Sequence, residues 1–242
     1  AGKSGAVDSN NDPVLDLSVN CGGLLNLLEC CRATSPSARI IFPSSRLVYG
    51  RVETLPVPES HLTKPTSIYG IHKLTCEEYL KHYHRVYDLP TVILRVTNPY
   101  GLERQPARLT HGILNAFVRN ALRGEPLTLF GDGRQIRDYL YIEDVVDVFL
   151  LAGEAPEAVG QVFNVGSGQG VSLADAAETI VRLVGRGQVQ YHAWPPDYLQ
   201  AETGDFVADI AKIRGALGWS PQRSWEQGLR KVCEDRPVQV AC

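Results

Sequence analysis

Neither sign of charge dominates this sequence: 24 Lys and Arg against 27 Asp and Glu leave a formal net charge of −3 over 242 residues. That balance gives no electrostatic footprint for nucleic acid or for an anionic membrane surface. No continuous apolar run approaches the roughly 18 residues a bilayer span needs, and the N-terminal residues lack the apolar core of a signal peptide. Neither nucleic acid nor membrane is expected as a partner. There is also no C-x-x-C pair. Cys21, Cys30, Cys31, Cys76, Cys233 and Cys242 are scattered through helical patterns or near the C-terminus. They read as free thiols of a cytoplasmic protein. The adjacent Cys30 and Cys31 have no matching His or Cys spacing, so no metal is expected.

One further absence bears on function. Gly166, Gly168 and Gly170 follow a strand pattern and precede a helical one, as a dinucleotide-binding loop does. The third glycine of G-x-G-x-x-G is due at position 171, which is Val171. No acidic residue ends a strand about 20 residues later. The segment therefore reads as a turn, and no other stretch offers the fingerprint.

What is present alternates strand and helix, with 44% hydrophobic and 21% charged residues, ordinary for a globular α/β chain. Residues 1–12 read as a loop, followed by a helix from 14 onward. Gly22 and Gly23 inside that helix cost it roughly 1 kcal/mol each, suggesting close approach of a neighbour. Residues 39–42 are a short apolar strand ending at Ser44 and Ser45, at the carboxyl end where open α/β sheets bind ligands. A helix over about 67–87 and a strand over 91–96 complete a crossover suited to parallel pairing. Residues 97–101 read as a turn. An Arg- and Pro-rich loop then leads to a helix over about 111–122 capped by Gly124. Strands are expected at 127–130, 138–142, 161–165 and 189–194. Helices are expected at 143–151, 172–184 with Ser172 as N-cap and Asp175 at N3, 207–217, and 225–233.

The chemistry centres on Tyr69 and Lys73. Four residues apart on a helix, they lie one above the other on the same face. A free phenol titrates near pH ~10, and a cation held beside it favours the phenolate.

Around that pair the chain resembles the NAD-dependent nucleotide-sugar epimerase/dehydratases, a group of extended short-chain dehydrogenase/reductases that includes the UDP-glucose 4-epimerases. The likeness is carried by Asn20 and Gly23 with Asn26 to Glu29, and by Ser44 and Ser45 with Val48 to Gly50. Tyr69 and Lys73 stand at its Y-x-x-x-K, and Arg95 with Asn98, Tyr100 and Gly101 at its L-R-x-x-N-x-Y-G. Gly124 to Leu127, Phe130 to Gly133, Arg137 with Asp138, and Asp144 with Val145 follow in the family's order. Asn164 to Gly168, Ser172, Asp209 and Gly218 with Trp219 complete it. The resemblance implies a Rossmann-like, doubly wound parallel sheet with a smaller C-terminal α/β lobe. The family's glycine-rich loop and the first half of its sheet stand ahead of the matching segment, so the sheet is expected to be incomplete and the chain N-terminally truncated. On this basis 1–105 would be the later part of the NAD-binding domain and 106–242 mainly the nucleotide-sugar lobe, with about 131–152 returning to the first domain.

The resemblance also implies the roles. Tyr69 is the base, Lys73 lowers its proton affinity and holds the nicotinamide ribose, and Ser45 orients the reacting oxygen. Asn20 contacts NAD; Asn98, Arg137 and Asp205 grip the nucleotide diphosphate sugar; Phe130 lines the base pocket. A homodimer is implied through the Tyr69 helix and its neighbour. Two departures matter. Dehydratases and decarboxylases of the family carry an acid at the position of Leu47, and dehydratases also at that of Arg46, which favours an epimerase or simple reductase. Glu202 stands where many members have a phosphate-binding Arg. A catalytically dead nucleotide-sugar-binding module, or a reductase of a non-sugar substrate, are the alternatives.

Overall fold

The computed structural model describes residues 2–101 and 112–234. The Arg- and Pro-rich loop, His111 and Cys242 lie outside the described residues. The chain opens with α1 (Ala6–Asn11), α2 (Pro13–Leu17), a π-helical turn at Ser18–Gly22 and α3 (Gly23–Thr34). Next come β1 (Ile40–Ser45), α4 (Ile68–Tyr87), β2 (Thr91–Val96), β3 (Asn98–Tyr100) and α5 (Ile113–Arg123). They are followed by β4 (Pro126–Phe130), β5 (Ile136–Tyr141), α6 (Ile142–Glu154), β6 (Val162–Val165), β7 (Gly170–Ser172) and α7 (Leu173–Val184). The last elements are β8 (Gln188–His192), α8 (Pro196–Ala201), α9 (Ala211–Leu217) and α10 (Trp225–Glu234).

The central feature is a parallel sheet of order β1-β2-β6. Strand β2 is buried along its whole length and so carries apolar side chains to both faces. Val92, Leu94 and Val96 enter one core with Val145, Val148, Phe163 and Ile213. Ile93 enters the opposite core with Leu28, Cys76 and Leu80, beneath α3 and α4. Helices therefore cover both faces, as the doubly wound reading expects. A third core is built from α5, α7 and α10 around β4 and β5, with Phe117, Leu129, Ile180 and Leu229 at its centre.

Helix α4 shows why this sequence folds as it does. Its first-turn N–H groups find three side-chain oxygens: Ser67 accepts from Gly70, Ser9 from Tyr69 and Asn10 from Ile68. Lys73, Cys76, Glu77, Leu80 and Tyr83 form its buried stripe. Gly70 lets it approach the end of β1, where a Cβ would stand 2.6 Å from the Leu47 carbonyl oxygen. Asp88, in the left-handed region, ends it.

Several expectations are corrected. Residues 6–11 are helical rather than loop, because Ser9 and Asn10 tie them to α4. The turn at 97–101 contains β3, paired in parallel with β5. The helix over 207–217 starts only at Ala211, since Val57 pairs with residues 207–209 in extended backbone. Strand β7 and helix α8 have no counterpart in the reading. Gly22 and Gly23, where close approach of a backbone or ligand was expected, have no close backbone neighbour: a Cβ at Gly23 would meet no protein atom within 4 Å. The stretch Pro13–Thr34 is, by length and composition, apolar enough to cross a membrane, although its apolar residues are not continuous. Its Asp16, Asn20, Cys21, Leu24 and Leu28 are buried, and it packs against α4.

Candidate active site

Ser45 ends β1, and Tyr69 and Lys73 lie in the first turns of α4, so one strand end and one helix start deliver the three groups together. The Ser45 hydroxyl is close enough to the Tyr69 phenol to lower its proton affinity. The Lys73 ammonium lies 5.6 Å from the Tyr69 ring centre and 4.5 Å from that of Phe42, and donates to the Pro43 carbonyl oxygen at 2.7 Å. Burial lowers the Lys73 proton affinity and pushes the Tyr69 phenol up to about 12. The carboxylate of Asp16 and the Cys76 sulfur push it further, while the Ser45 hydroxyl pulls it down.

Beneath this trio lies a set of buried groups that spacing does not reveal. His72 Nδ1 and Asp16 Oδ1 are 2.6 Å apart, joining α4 to α2. The Cys21 and Cys76 sulfurs are 3.8 Å apart, and the hydrogen bond from Cys76 brings the Cys21 thiol down to about 7. Behind Ser45, Glu77 accepts from Arg95 and Ser44, and Arg95 donates to the Tyr49 hydroxyl at 2.9 Å. That buried ion pair locks α4 to both β1 and β2. Only the alternation of β2 side chains could have predicted that Arg95 faces α4.

The remaining candidates lie on other elements. Asn20 is buried and exchanges hydrogen bonds with the Lys3 backbone, at 3.0 and 3.2 Å. Asn98 Oδ1 accepts from the Arg46 guanidinium at 3.0 Å. Arg137 donates to the carbonyls of Ile136 and Gly204 and pairs with Glu202, not with its neighbour Asp138. Asp205 is exposed, and its carboxylate accepts the Ile136 N–H at 2.8 Å. Phe130 packs against Trp194 and Tyr198, with ring centres 5.7 and 5.3 Å away. These two aromatic partners were not anticipated, nor was Arg46.

The glycine-rich turn does bind an anion, but an internal one. Asp138 accepts from the N–H groups of Ser167, Gly168 and Ala208 and from the Ser167 hydroxyl. A Cβ at Gly166 would stand 2.5 Å from that carboxylate. The turn's N–H groups are thus committed and do not suit a pyrophosphate. The hydroxyls of Ser45 and Tyr69 and the ammonium of Lys73 offer hydrogen-bond donors of the kind the ribose hydroxyls of NAD would take. Among the described residues no group of three or more His, Cys, Asp or Glu could hold a metal.

The chain as a whole has relatives among known proteins. Residues 1–166 match the model of the NAD dependent epimerase/dehydratase family. A putative UDP-glucose 4-epimerase of Methanocaldococcus jannaschii is 33% identical over 226 residues, 93% of this chain and 71% of that protein. The UDP-glucose 4-epimerase of Thermotoga maritima, solved with UDP-glucose, is 32% identical with a TM-score of 0.89, covering 97% of this chain and 74% of that one. The Thermus thermophilus enzyme, solved with NAD, is 31% identical with a TM-score of 0.86 and covers 96% and 74%. With two thirds of its length matched by the family model, and with relatives alike in sequence and fold, this chain belongs to the NAD dependent epimerase/dehydratase family, a Rossmann-like family of enzymes that act with NAD.

Proposed function

We propose that the chain is a nucleotide-sugar 4-epimerase, with Ser45, Tyr69 and Lys73 as its catalytic residues. The observation that carries this reading is the placement of the buried Lys73 ammonium 5.6 Å from the Tyr69 ring centre, with Ser45 at the neighbouring strand end. NAD, when bound, supplies the acceptor and donor of hydride at the sugar carbon. Tyr69 takes the proton from the sugar hydroxyl and returns it to the opposite epimer. Ser45 holds the reacting oxygen in both hydroxyl and ketone states. Lys73 favours charge on the phenol oxygen and holds the ribose, as Asn20 does the cofactor from the other side. Asn98, Arg137 and Asp205 hold the diphosphate end, and Phe130 with Trp194 and Tyr198 forms an aromatic wall for the base. Leu47 leaves no acid for dehydration, which supports epimerisation. Residues 106–242 supply the nucleotide-sugar lobe, with 131–152 returning to the sheet domain, and two copies pair through α3 and α4.

The test is conversion of UDP-glucose to UDP-galactose with added NAD. Tyr69→Phe is expected to lower kcat/KM by about 10²- to 10⁴-fold while leaving UDP-glucose affinity nearly unchanged. Binding of UDP-glucose with no turnover at any NAD concentration would leave the binding-module reading instead. Undiminished nucleotide-diphosphate affinity in Arg137→Ala would remove the assigned phosphate grip.

A further inference from the structure

Arg137 is assigned to the diphosphate, yet its guanidinium is already engaged. Nη1 donates to the carbonyl oxygens of Ile136 at 2.9 Å and Gly204 at 2.8 Å, and Nη2 donates to Glu202 Oε1. The same Glu202 oxygen accepts the Gly204 N–H at 2.8 Å. Beside it the Thr203 hydroxyl accepts from the Arg46 guanidinium at 2.9 Å, and the Phe206 N–H donates to the Ile136 carbonyl at 3.1 Å. Residues 202–206, which follow α8, thus run as a strap along the start of β5. Burial and the neighbouring Arg137 disfavour the charge on Arg46, while Glu202 and Asp138 support it. The two carboxylates are held differently. Asp138 is fully buried and fixed by the N–H groups of Ser167, Gly168 and Ala208. The Glu202 side chain is 21% exposed and lies in irregular backbone, so water reaches it and rotation about its own side-chain bonds can release it.

Of the charges around the two arginines, the Glu202 carboxylate is therefore the exchangeable one. An arginine fork takes phosphate oxygens by the same charge-assisted hydrogen bonds that it offers a carboxylate. A phosphate brought to Arg137 with Glu202 still in place would set two anions side by side in a half-buried site, where their repulsion is little screened. We propose that Glu202 is a built-in competitor for the diphosphate, its carboxylate and the ligand's phosphate excluding one another on the Arg137 fork. The inference rests on the nucleotide-sugar reading above and adds to it a residue that sets how readily the diphosphate is accepted. Affinity for a diphosphate is lowered in proportion to the share of molecules in which the Arg137–Glu202 pair is closed. A ligand without phosphate gains nothing from opening the pair, so the effect of Glu202 is confined to the charged part of the ligand.

Isothermal titration of the full chain with UDP and with uridine tests it, in a double-mutant cycle of Glu202→Gln and Arg137→Ala. Glu202→Gln keeps the size of the side chain and removes its charge. It is expected to tighten UDP binding by about tenfold or more, the worth of one charge-assisted hydrogen bond, and to leave uridine unchanged. In the Arg137→Ala background the same substitution is expected to change UDP affinity by less than about twofold, because the competition acts through Arg137. Glu202→Ala and Arg137→Gln serve if either first choice does not fold. Unchanged or weakened UDP binding in Glu202→Gln overturns the inference and leaves the nucleotide-sugar reading standing. Equal tightening in both backgrounds overturns it in favour of repulsion at a distance, and tightening of uridine alongside UDP overturns it in favour of a general loosening of the strap. UDP affinity undiminished by Arg137→Ala removes the phosphate grip itself, and with it both readings of Arg137. Binding of UDP seen only after Glu202→Gln supports the inference, and absence of binding in every variant overturns it together with the nucleotide-sugar reading.

Discussion

The phenol of Tyr69 holds its proton more tightly here than a free tyrosine, and each group responsible can be removed separately. Burial is the largest cause, Asp16 adds negative charge nearby, and the Ser45 hydroxyl opposes both. Tyr69 is therefore expected to titrate near 12, read as the phenolate absorbance lost in a Tyr69→Phe difference spectrum. Ser45→Ala is expected to move that midpoint up and Asp16→Asn to move it down, shifting the rising limb of kcat/KM to lower pH. The sign for stability follows by linkage. The folded chain binds this proton more tightly than the unfolded chain, so the associated stability is fully present below about pH 10 and is lost as pH rises through the folded-state value. Movement of the midpoint in the opposite direction in either variant would break the assignment. Tyr69 and Lys73 were legible because helical periodicity alone puts them on one face, and Ser45 because strand ends collect ligands. Asp16, His72, Arg46 and Tyr139 were not. Their proximity depends on long-range packing of α2 on α4 and of β3 on β5, which no local spacing encodes.

Helix α4 is the element on which the site depends, and two glycines show which contacts hold it. At Gly70 an added Cβ meets the Leu47 carbonyl oxygen at 2.6 Å and Pro65 Cβ at 3.0 Å, so the helix must shift away from Ser45. Gly70→Ala is expected to cost about 1–3 kcal/mol, read by urea denaturation, and to weaken turnover as well. Gly23→Ala is the control. It is exposed, helical in backbone and free of neighbours within 4 Å, so it is expected to stabilise by about 0.5–1 kcal/mol. The reverse order of the two effects would refute the close-approach argument. The same contrast explains what the sequence could say about elements. The strand at 91–96 and the helix ending at Asp88 were legible from the apolar Val92–Leu94 with Val96 and from a Leu-Pro stop. Residues 207–210 looked helical because Val207, Ile210 and Ile213 recur at helical spacing. Their backbone pairing with Val57 lies 150 residues away in sequence, and tertiary pairing overrode the local pattern.

At the scale of the whole molecule, the doubly wound layering accounts for the two buried faces of the sheet but leaves the outer face of α3 and α4 to be covered. On that face Arg32 stacks 5.1 Å from the Tyr87 ring centre, Glu29 accepts from the Tyr83 hydroxyl, and Tyr83 and Tyr87 lie 5.2 Å apart. Leu27 and Val86 are each 50% exposed, and Tyr87 43%. In the proposed dimer a two-fold axis across this seam would bring identical patches together and build four helices, each copy covering the aromatic and aliphatic side chains of the other. Sedimentation velocity is expected to give a species of twice the 26.6 kDa chain mass. Val86→Glu combined with Leu27→Arg is expected to return it to the single-chain mass. These residues project outward and contribute to none of the three buried cores, so the double variant should keep the wild-type circular dichroism. Because the dimer would brace α4 from outside, its loss should also lower the unfolding temperature and make it independent of concentration, where the wild-type value rises with concentration. A wild-type chain that sediments as a monomer up to tens of micromolar, in the range where a standard-sized interface of about 800 Å² per partner holds, would refute the arrangement.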